Sequence, residues 1–360
     1  MKQIAFSVIA ALLLASCGSK PQPPKEYSSE QIDEKFSSGV VLIRNVYYYT
    51  MSFGEDLDVY FTGVDKEGNP IGITFDSEEI KANTSFGTGF FVDKEGMIAT
   101  NNHIANPTVD LGDIRSMFLS KLSSLSTQFQ TEVNNMNVVM GALVSEIANT
   151  SDSYDKRKYT KKLEEIQEER DKKQEFINAV NQLHGSNCTL RCNSSIGVAY
   201  NNTYVTNMSD FHDCVVKAGD EAHDLALIQL KDKQTPEKCH VFKVPKGKEN
   251  NSESDDDKAS KKKGKDIKVG TELYMIAYNL GPTLALTKEG VMAQVTSGKV
   301  TQNRDESHVM YDISSLHGSS GSPVLNKYGK LVAVNFAGID TTQGFNYGVK
   351  ATWLRALMDK

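Results

Sequence analysis

The segment Gly318-Ser319-Ser320-Gly321-Ser322-Pro323 sets serine hydroxyls between glycines that let the backbone turn tightly. A serine hydroxyl is a poor nucleophile at neutral pH. To attack a carbonyl it needs a base for its proton, a third group to orient that base, and N–H donors for the oxyanion that forms. A turn of this kind lets the amides of Gly318 and Ser320 converge on one point, an oxyanion hole in prospect. A base stands earlier in the chain, in Ile98-Ala99-Thr100-Asn101-Asn102-His103-Ile104, where His103 follows a strand-like run. A carboxylate, Asp224, stands at the mouth of the apolar run Leu225-Ala226-Leu227-Ile228, where burial demands a partner such as an imidazole N–H. Each piece alone has a plain reading: a Gly/Ser turn, a structural histidine, a turn aspartate. Their joint occurrence, in the order His, Asp, Ser, is what points to nucleophilic catalysis.

The elements that must position these groups alternate in period. From Gly39 to Thr100, runs such as Val40-Val41-Leu42-Ile43 and Phe90-Phe91-Val92 are broken by Gly, Asp and Asn, as in short strands. The period then changes. Phe118, Leu122, Leu125, Phe129, Val133, Met136, Met140, Leu143 and Ile147 recur at helical steps, followed by Tyr159, Leu163, Ile166, Ile177 and Val180 on a charged background. With Asn149-Thr150-Ser151-Asp152-Ser153 as the turn, residues 112–184 read as an inserted, coiled-coil-like helical hairpin. Strand signals return after it. The polar, low-complexity stretch from Lys246 to Asp266 reads as a disordered charged loop, and Thr352 to Met358 as a terminal helix. The expected fold is mainly β, with two six-stranded antiparallel barrels. Residues 39–111 and 185–245 form the first barrel, and residues 267–360 form the second with the terminal helix.

The three chemical segments in this order resemble the chymotrypsin-like (trypsin-like) serine proteases, whose chain order differs from those of subtilisins and α/β-hydrolases. Thr100-Asn101-Asn102-His103, and Val269-Gly270-Thr271 with Ile276-Ala277-Tyr278-Asn279-Leu280-Gly281, look most like the bacterial HtrA/Deg type. The resemblance covers about residues 38–104, 195–245 and 267–358. It implies a serine endopeptidase that works through an acyl-enzyme on a protein or peptide substrate, with no cofactor and no metal. His103 would be the base and then the acid, Asp224 its orienter and Ser320 the nucleophile. The Gly318 and Ser320 amides would hold the oxyanion. Val334-Asn335-Phe336-Ala337 would contain the strand that pairs with substrate backbone, which makes Asn335, Phe336 and Ala337 substrate-binding candidates. Ser314, Ser315 and Leu316 would form the base and wall of the specificity pocket.

Two departures qualify the resemblance. Digestive members carry an Asp before the nucleophile that pairs with a freed N-terminus. Ser319 stands there instead, so activation by that cleavage is not expected. Ser314 brings no negative charge, so small or apolar side chains are the expected preference. The chain ends at Lys360, and the PDZ domains of the HtrA type are expected to be missing. The helical hairpin is then the element expected to contact substrate, a partner or another protomer, or else only to pack its own helices. A protease-like binding or scaffold protein without turnover is the alternative from another class.

Export is expected from the N-terminus. Lys2 precedes an apolar stretch from Ile4 to Leu14, too short to span a bilayer as a stable helix, and Leu14-Ala15-Ser16-Cys17-Gly18 resembles a bacterial lipobox. Residues 1–17 then form a signal peptide, Cys17 carries the lipid, and residues 18–38 form a flexible tether. The chain is thus expected to be an exported bacterial lipoprotein anchored to the membrane, facing the periplasm or the cell surface. In that compartment Cys188, Cys192, Cys214 and Cys239 are disulfide candidates, with a structural zinc site as the competing idea. A net charge of −6 argues against a nucleic-acid partner.

Overall fold

The structure is a computed structural model that describes residues 25–54, 57–109, 111–182, 188–246, 267–303, 305–338 and 345–360. The expected signal peptide with Cys17, the tether up to residue 24 and the charged loop from residue 247 on lie outside the described residues.

Helix α1 (Ser29–Phe36) opens the described chain. Strands β1 (Val40–Phe53), β2 (Leu57–Phe61), β3 (Gly63–Val64), β4 (Pro70–Ile71), β5 (Asn83–Phe91) and β6 (Met97–Thr100) follow. Then come α2 (Asn102–Ala105), the long pair α3 (Leu111–Asn149) and α4 (Ser153–Asn181), β7 (Cys188–Tyr200), β8 (His212–Asp220) and β9 (Leu225–Leu230). These strands run in the order β2-β1-β5-β6-β9-β8-β7, and β1 also pairs with β7, which closes a six-stranded barrel with β2 as an appendage. The second half continues with β10 (Glu272–Ala277), β11 (Leu286–Thr287), β12 (Gly290–Val291), β13 (Gln294–Gln302), β14 (His308–Tyr311), β15 (Pro323–Asn326), β16 (Leu331–Gly338) and β17 (Asn346–Lys350), then a terminal helix, Ala351–Met358. The strands β10-β13-β14-β17-β16-β15 form a second closed barrel. The expected pair of six-stranded antiparallel barrels with an inserted helical hairpin is the fold observed.

The continuous apolar runs in the sequence have a direct cause. Side chains alternate across a strand, and on the strands at the seam both faces are covered. Val41 and Ile43 fill the first barrel, whereas Val40 and Leu42 face the seam. Leu273, Met275 and Ala277 fill the second barrel, and Tyr274, Ile276 and Tyr278 join the same seam cluster. Each fully buried aliphatic or aromatic side chain contributes about 1.5–3 kcal/mol of transfer free energy, which holds the barrels in fixed relation.

The distal half of β1 runs out of the barrel. There it pairs with β2 on one side and β7 on the other. One face of this extension carries Tyr49, Met51, Val59 and Phe61, which pack against Ile114, Phe118 and Leu122 of α3 and against Phe176, Ala179 and Val180 of α4. The base of the hairpin is therefore part of a core, beyond the packing of its helices on one another. Asp152 caps α4 by accepting from the amides of Tyr154 and Asp155.

Two expectations are corrected. The tether does not run flexibly to residue 38. Ser28 and Gln31 form a capping box, and Ile32 and Phe36 are buried in the seam cluster beside Leu325, Leu331 and Phe242. The disulfides are also not found, since Cys188, Cys192, Cys214 and Cys239 are all free thiols. Cys188 and Cys192 lie four positions apart on one strand, about 13 Å along it, which is beyond disulfide reach. Among the described residues, no group of three or more His, Cys, Asp or Glu side chains is placed to hold a metal ion.

Candidate active site

His103 sits on the short helix α2, directly after β6, and Asp224 ends the turn before β9, the strand that pairs with β6. Adjacent strands thus bring residues far apart in sequence to one rim. Four contacts lock them together. The Asp224 carbonyl accepts from Asn101 Nδ2 at 2.8 Å and from the Asn102 amide at 3.2 Å. Its Oδ1 accepts from the His103 amide at 2.9 Å, and Oδ2 lies 2.7 Å from His103 Nδ1. With Nδ1 donating to the carboxylate, Nε2 is left as the proton acceptor.

Asp224 adopts φ 49°, a left-handed conformation that aspartate tolerates better than most residues. The turn behind it is braced. His223 pairs with Asp220 at 3.0 Å, and the indole of Trp353 from the terminal helix stacks on the His223 ring at a centroid distance of 3.9 Å. His103 is 47% exposed and the Asp224 side chain 20%, so the pair opens to substrate on one side only.

The segment that carries Ser320 is held from the other barrel. Thr88 on β5 donates its amide to the Ser320 carbonyl at 2.8 Å and its hydroxyl to the Gly318 carbonyl at 2.7 Å, while that hydroxyl accepts from the Tyr278 amide at 3.1 Å. Thr100 of β6 donates to the Thr88 carbonyl at 2.8 Å. The barrel carrying His103 thereby sets the height of Ser320. The approach is close enough to require glycine. A Cβ on Gly321, at φ 87°, would lie 2.1 Å from the Thr88 carbonyl, and one on Gly318, at φ 94°, would lie 2.4 Å from the Tyr278 carbonyl.

Among the described residues, the amides of Gly318 and Ser320 have no acceptor, and no hydrogen bond joins Ser320 Oγ to His103. Catalytic contacts of this kind commonly tighten only when substrate is bound.

Behind Ser320 runs a buried chain of donors. The Tyr311 hydroxyl donates to Asn335 Oδ1 at 2.7 Å, which turns Nδ2 toward Ser315 Oγ at 3.1 Å and the Ser319 carbonyl at 3.0 Å. Ser315 and Ser319 hydroxyls lie 2.6 Å apart, and Ser319 Oγ donates to the Leu316 carbonyl at 2.7 Å. Burial pushes the Tyr311 phenol well above its usual range, so it stays a donor. Ser319, standing where the digestive enzymes have Asp, is thus held without any ion pair.

The substrate-binding candidates divide. Asn335 is 1% exposed, and its backbone donates to the Ser322 carbonyl and accepts from the Gly321 amide, so it faces the segment 318–323 rather than solvent. Ser315 likewise belongs to the buried chain. Phe336 is the bulged residue between Asn335 and Ala337, where β16 outruns β15 and, among the described residues, keeps only β17 as a neighbour. Ala337 pairs with Tyr347 there, and Ser314 and Leu316 are exposed.

The sequence reading missed Thr88, Tyr311 and Trp353. The available signal for Thr88 was a polar residue between two glycines in the half of β5 that otherwise carries Phe86, Phe90 and Phe91.

Residues 187–334 match the family described as trypsin-like peptidase domain. The crystal structure of the serine endoprotease from Yersinia pestis aligns with a TM-score of 0.44 and 12% identity, covering 93% of this chain and 66% of that one. This chain therefore spans about two thirds of that protein's length. No match was found among curated proteins. Residues 187–334 are thus similar to a trypsin-like peptidase domain, and the described residues form two closed six-stranded antiparallel barrels.

Proposed function

We propose that the chain is a serine endopeptidase with His103, Asp224 and Ser320 as its triad. The observation that carries this reading is the two-point engagement of Asp224 by the His103 amide and imidazole, at a rim to which Thr88 ties Ser320. His103 Nε2 takes the Ser320 proton as Oγ attacks the scissile carbonyl. The oxyanion is received by the Gly318 and Ser320 amides. His103 then returns the proton to the leaving amine, and water hydrolyses the acyl-enzyme by the same route in reverse. The edge of β16 from Phe336 to Ala337 receives the substrate as an added strand. With Ser314 uncharged and Leu316 exposed, the pocket prefers small or apolar side chains.

The site is of the HtrA type in its motifs and needs no N-terminal cleavage, because Ser319 is already satisfied by Ser315, Asn335 and the Leu316 carbonyl. Cys17 lipidation anchors the enzyme at the bacterial envelope. Cleavage of unfolded protein and of a peptide library tests the activity. Loss on Ser320→Ala and on His103→Ala supports it, and cleavage confined to the carboxyl side of Lys or Arg contradicts the specificity. The binding-only alternative has one observation in its favour, the absence of a hydrogen bond between Ser320 and His103.

A further inference from the structure

The distal end of the hairpin carries a surface that neither the fold nor the proposed chemistry uses. Leu122 is the last α3 residue in the core shared with the sheet, so from there to Asn149 the helix reaches about 40 Å beyond its base. Near its end, Val138-Val139-Met140-Gly141-Ala142-Leu143-Val144 holds no charged or strongly polar side chain. Leu143 turns inward, but Val138 is 73% exposed, Val139 44% and Val144 54%, and Tyr154 at the start of α4 is 75% exposed. These valines point in different directions around the helix, so the helix end is apolar on nearly all sides.

The start of α4, beside this apolar end, is strongly basic. Lys156-Arg157-Lys158 and Lys161-Lys162 set five cations against one carboxylate, Asp155, over residues 153–162. Lys161 reaches Glu165 at 3.8 Å. Among the described residues, Lys156, Arg157, Lys158 and Lys162 are exposed and in no ion pair. In a chain of net charge −6 this is a local reversal of sign.

We infer that the hairpin tip docks on an anionic phospholipid bilayer. The valines and Tyr154 enter the boundary between headgroups and acyl chains, and the basic turn of α4 meets the lipid phosphates. Charge complementarity selects this occupant. A second copy docked tip to tip would set the five cations of each basic turn against only three carboxylates, Glu146, Asp152 and Asp155, whereas an anionic bilayer answers both features at once. Among the described residues no helix is long and apolar enough to cross a membrane, so the tip touches and does not span. The contact is independent of Cys17 and of the protease reading. With an acyl anchor it would supply the second of the two signals that stable attachment requires.

The test is flotation of the chain from residue 25 onward, which carries every described element and no lipidated cysteine, with vesicles of phosphatidylglycerol and phosphatidylethanolamine against phosphatidylcholine alone. The expected result is binding to the anionic vesicles only, weakened by salt. Combined Lys156→Glu, Arg157→Glu and Lys158→Glu reduce it by about 100-fold or more. Combined Val138→Ser, Val139→Ser and Val144→Ser reduce it several-fold, with circular dichroism reporting retained helix. The charge variant alters only exposed side chains and keeps the test open if the serine variant loses helix. Equal binding to neutral vesicles, no binding at all, or a valine-dependent dimer without vesicle binding would each overturn the inference.

Discussion

Thr88 and Ser320 stand on opposite barrels and are joined directly, the Thr88 amide donating to the Ser320 carbonyl at 2.8 Å. The same residue's hydroxyl grips Gly318, so both flanks of Ser319 hang from one position on β5.

Thr88→Val keeps the shape and the amide but removes the hydroxyl. The Gly318 carbonyl and the Tyr278 amide then lose a buried partner, at about 1–3 kcal/mol each. We expect kcat to fall by about 100-fold with KM little changed, because a small displacement of the nucleophile is costly. Thr88→Ser should restore most of the rate. An unchanged kcat in Thr88→Val would show that the contact does not position Ser320.

Asn335 organises the donor chain behind Ser320. Asn335→Leu takes one of two donors from the Ser319 carbonyl, which keeps the Ser322 amide, and leaves the Tyr311 hydroxyl with the Tyr347 carbonyl as its acceptor. Chemical denaturation should show a loss of about 1–2 kcal/mol, and the acylation rate should drop further than the stability loss explains. A variant with full acylation would place Asn335 in the fold alone.

The free cysteines make a pH prediction. Burial pushes Cys214 up to about 12 and Cys192 and Cys239 up to about 11. Deprotonation is therefore easier in the unfolded chain, where thiols titrate near their ordinary value. Stability is unaffected below that value and falls as pH rises from about 8.5 toward 11. Alkylation at pH 8 should label these three slowly in native protein and all four fully in denaturant. Fewer than four thiols in non-reducing denaturant would restore the disulfide expectation.

Much of the architecture was legible because burial imposes a period. Runs such as Val40-Val41-Leu42-Ile43 are apolar on both faces because the seam covers one and the barrel interior the other, and the step from strand to helical period marks the hairpin. The pairing of His103 with Asp224 was legible through chain order and their neighbours. What could not be read depends on approach in space. Thr88 contacts a segment more than two hundred residues away, and the inward turn of Asn335 depends on Tyr311. The ordering of α1 depends on a groove between barrels that no local pattern announces, and so does the sheet extension that receives the hairpin base.

That extension separates two truncations. Replacing residues 131–171 by a short turn keeps Phe129 against Phe176 and leaves the sheet covered, so the fold and the active-site rim should survive. Deleting residues 112–184 uncovers Met51, Val59 and Phe61 and should give an aggregating product. Equal behaviour of the two, read by thermal melting and light scattering, would contradict the role given to the hairpin base.

The central claim, that Ser320 is a nucleophile activated by His103 and Asp224, is tested most directly by a fluorophosphonate probe with the adduct mapped by mass spectrometry. The expected result is a single adduct on Ser320 of the folded chain, absent in Ser320→Ala and much slower in His103→Ala and Asp224→Ala. A folded chain that stays unlabelled, or labels at another residue, would contradict it.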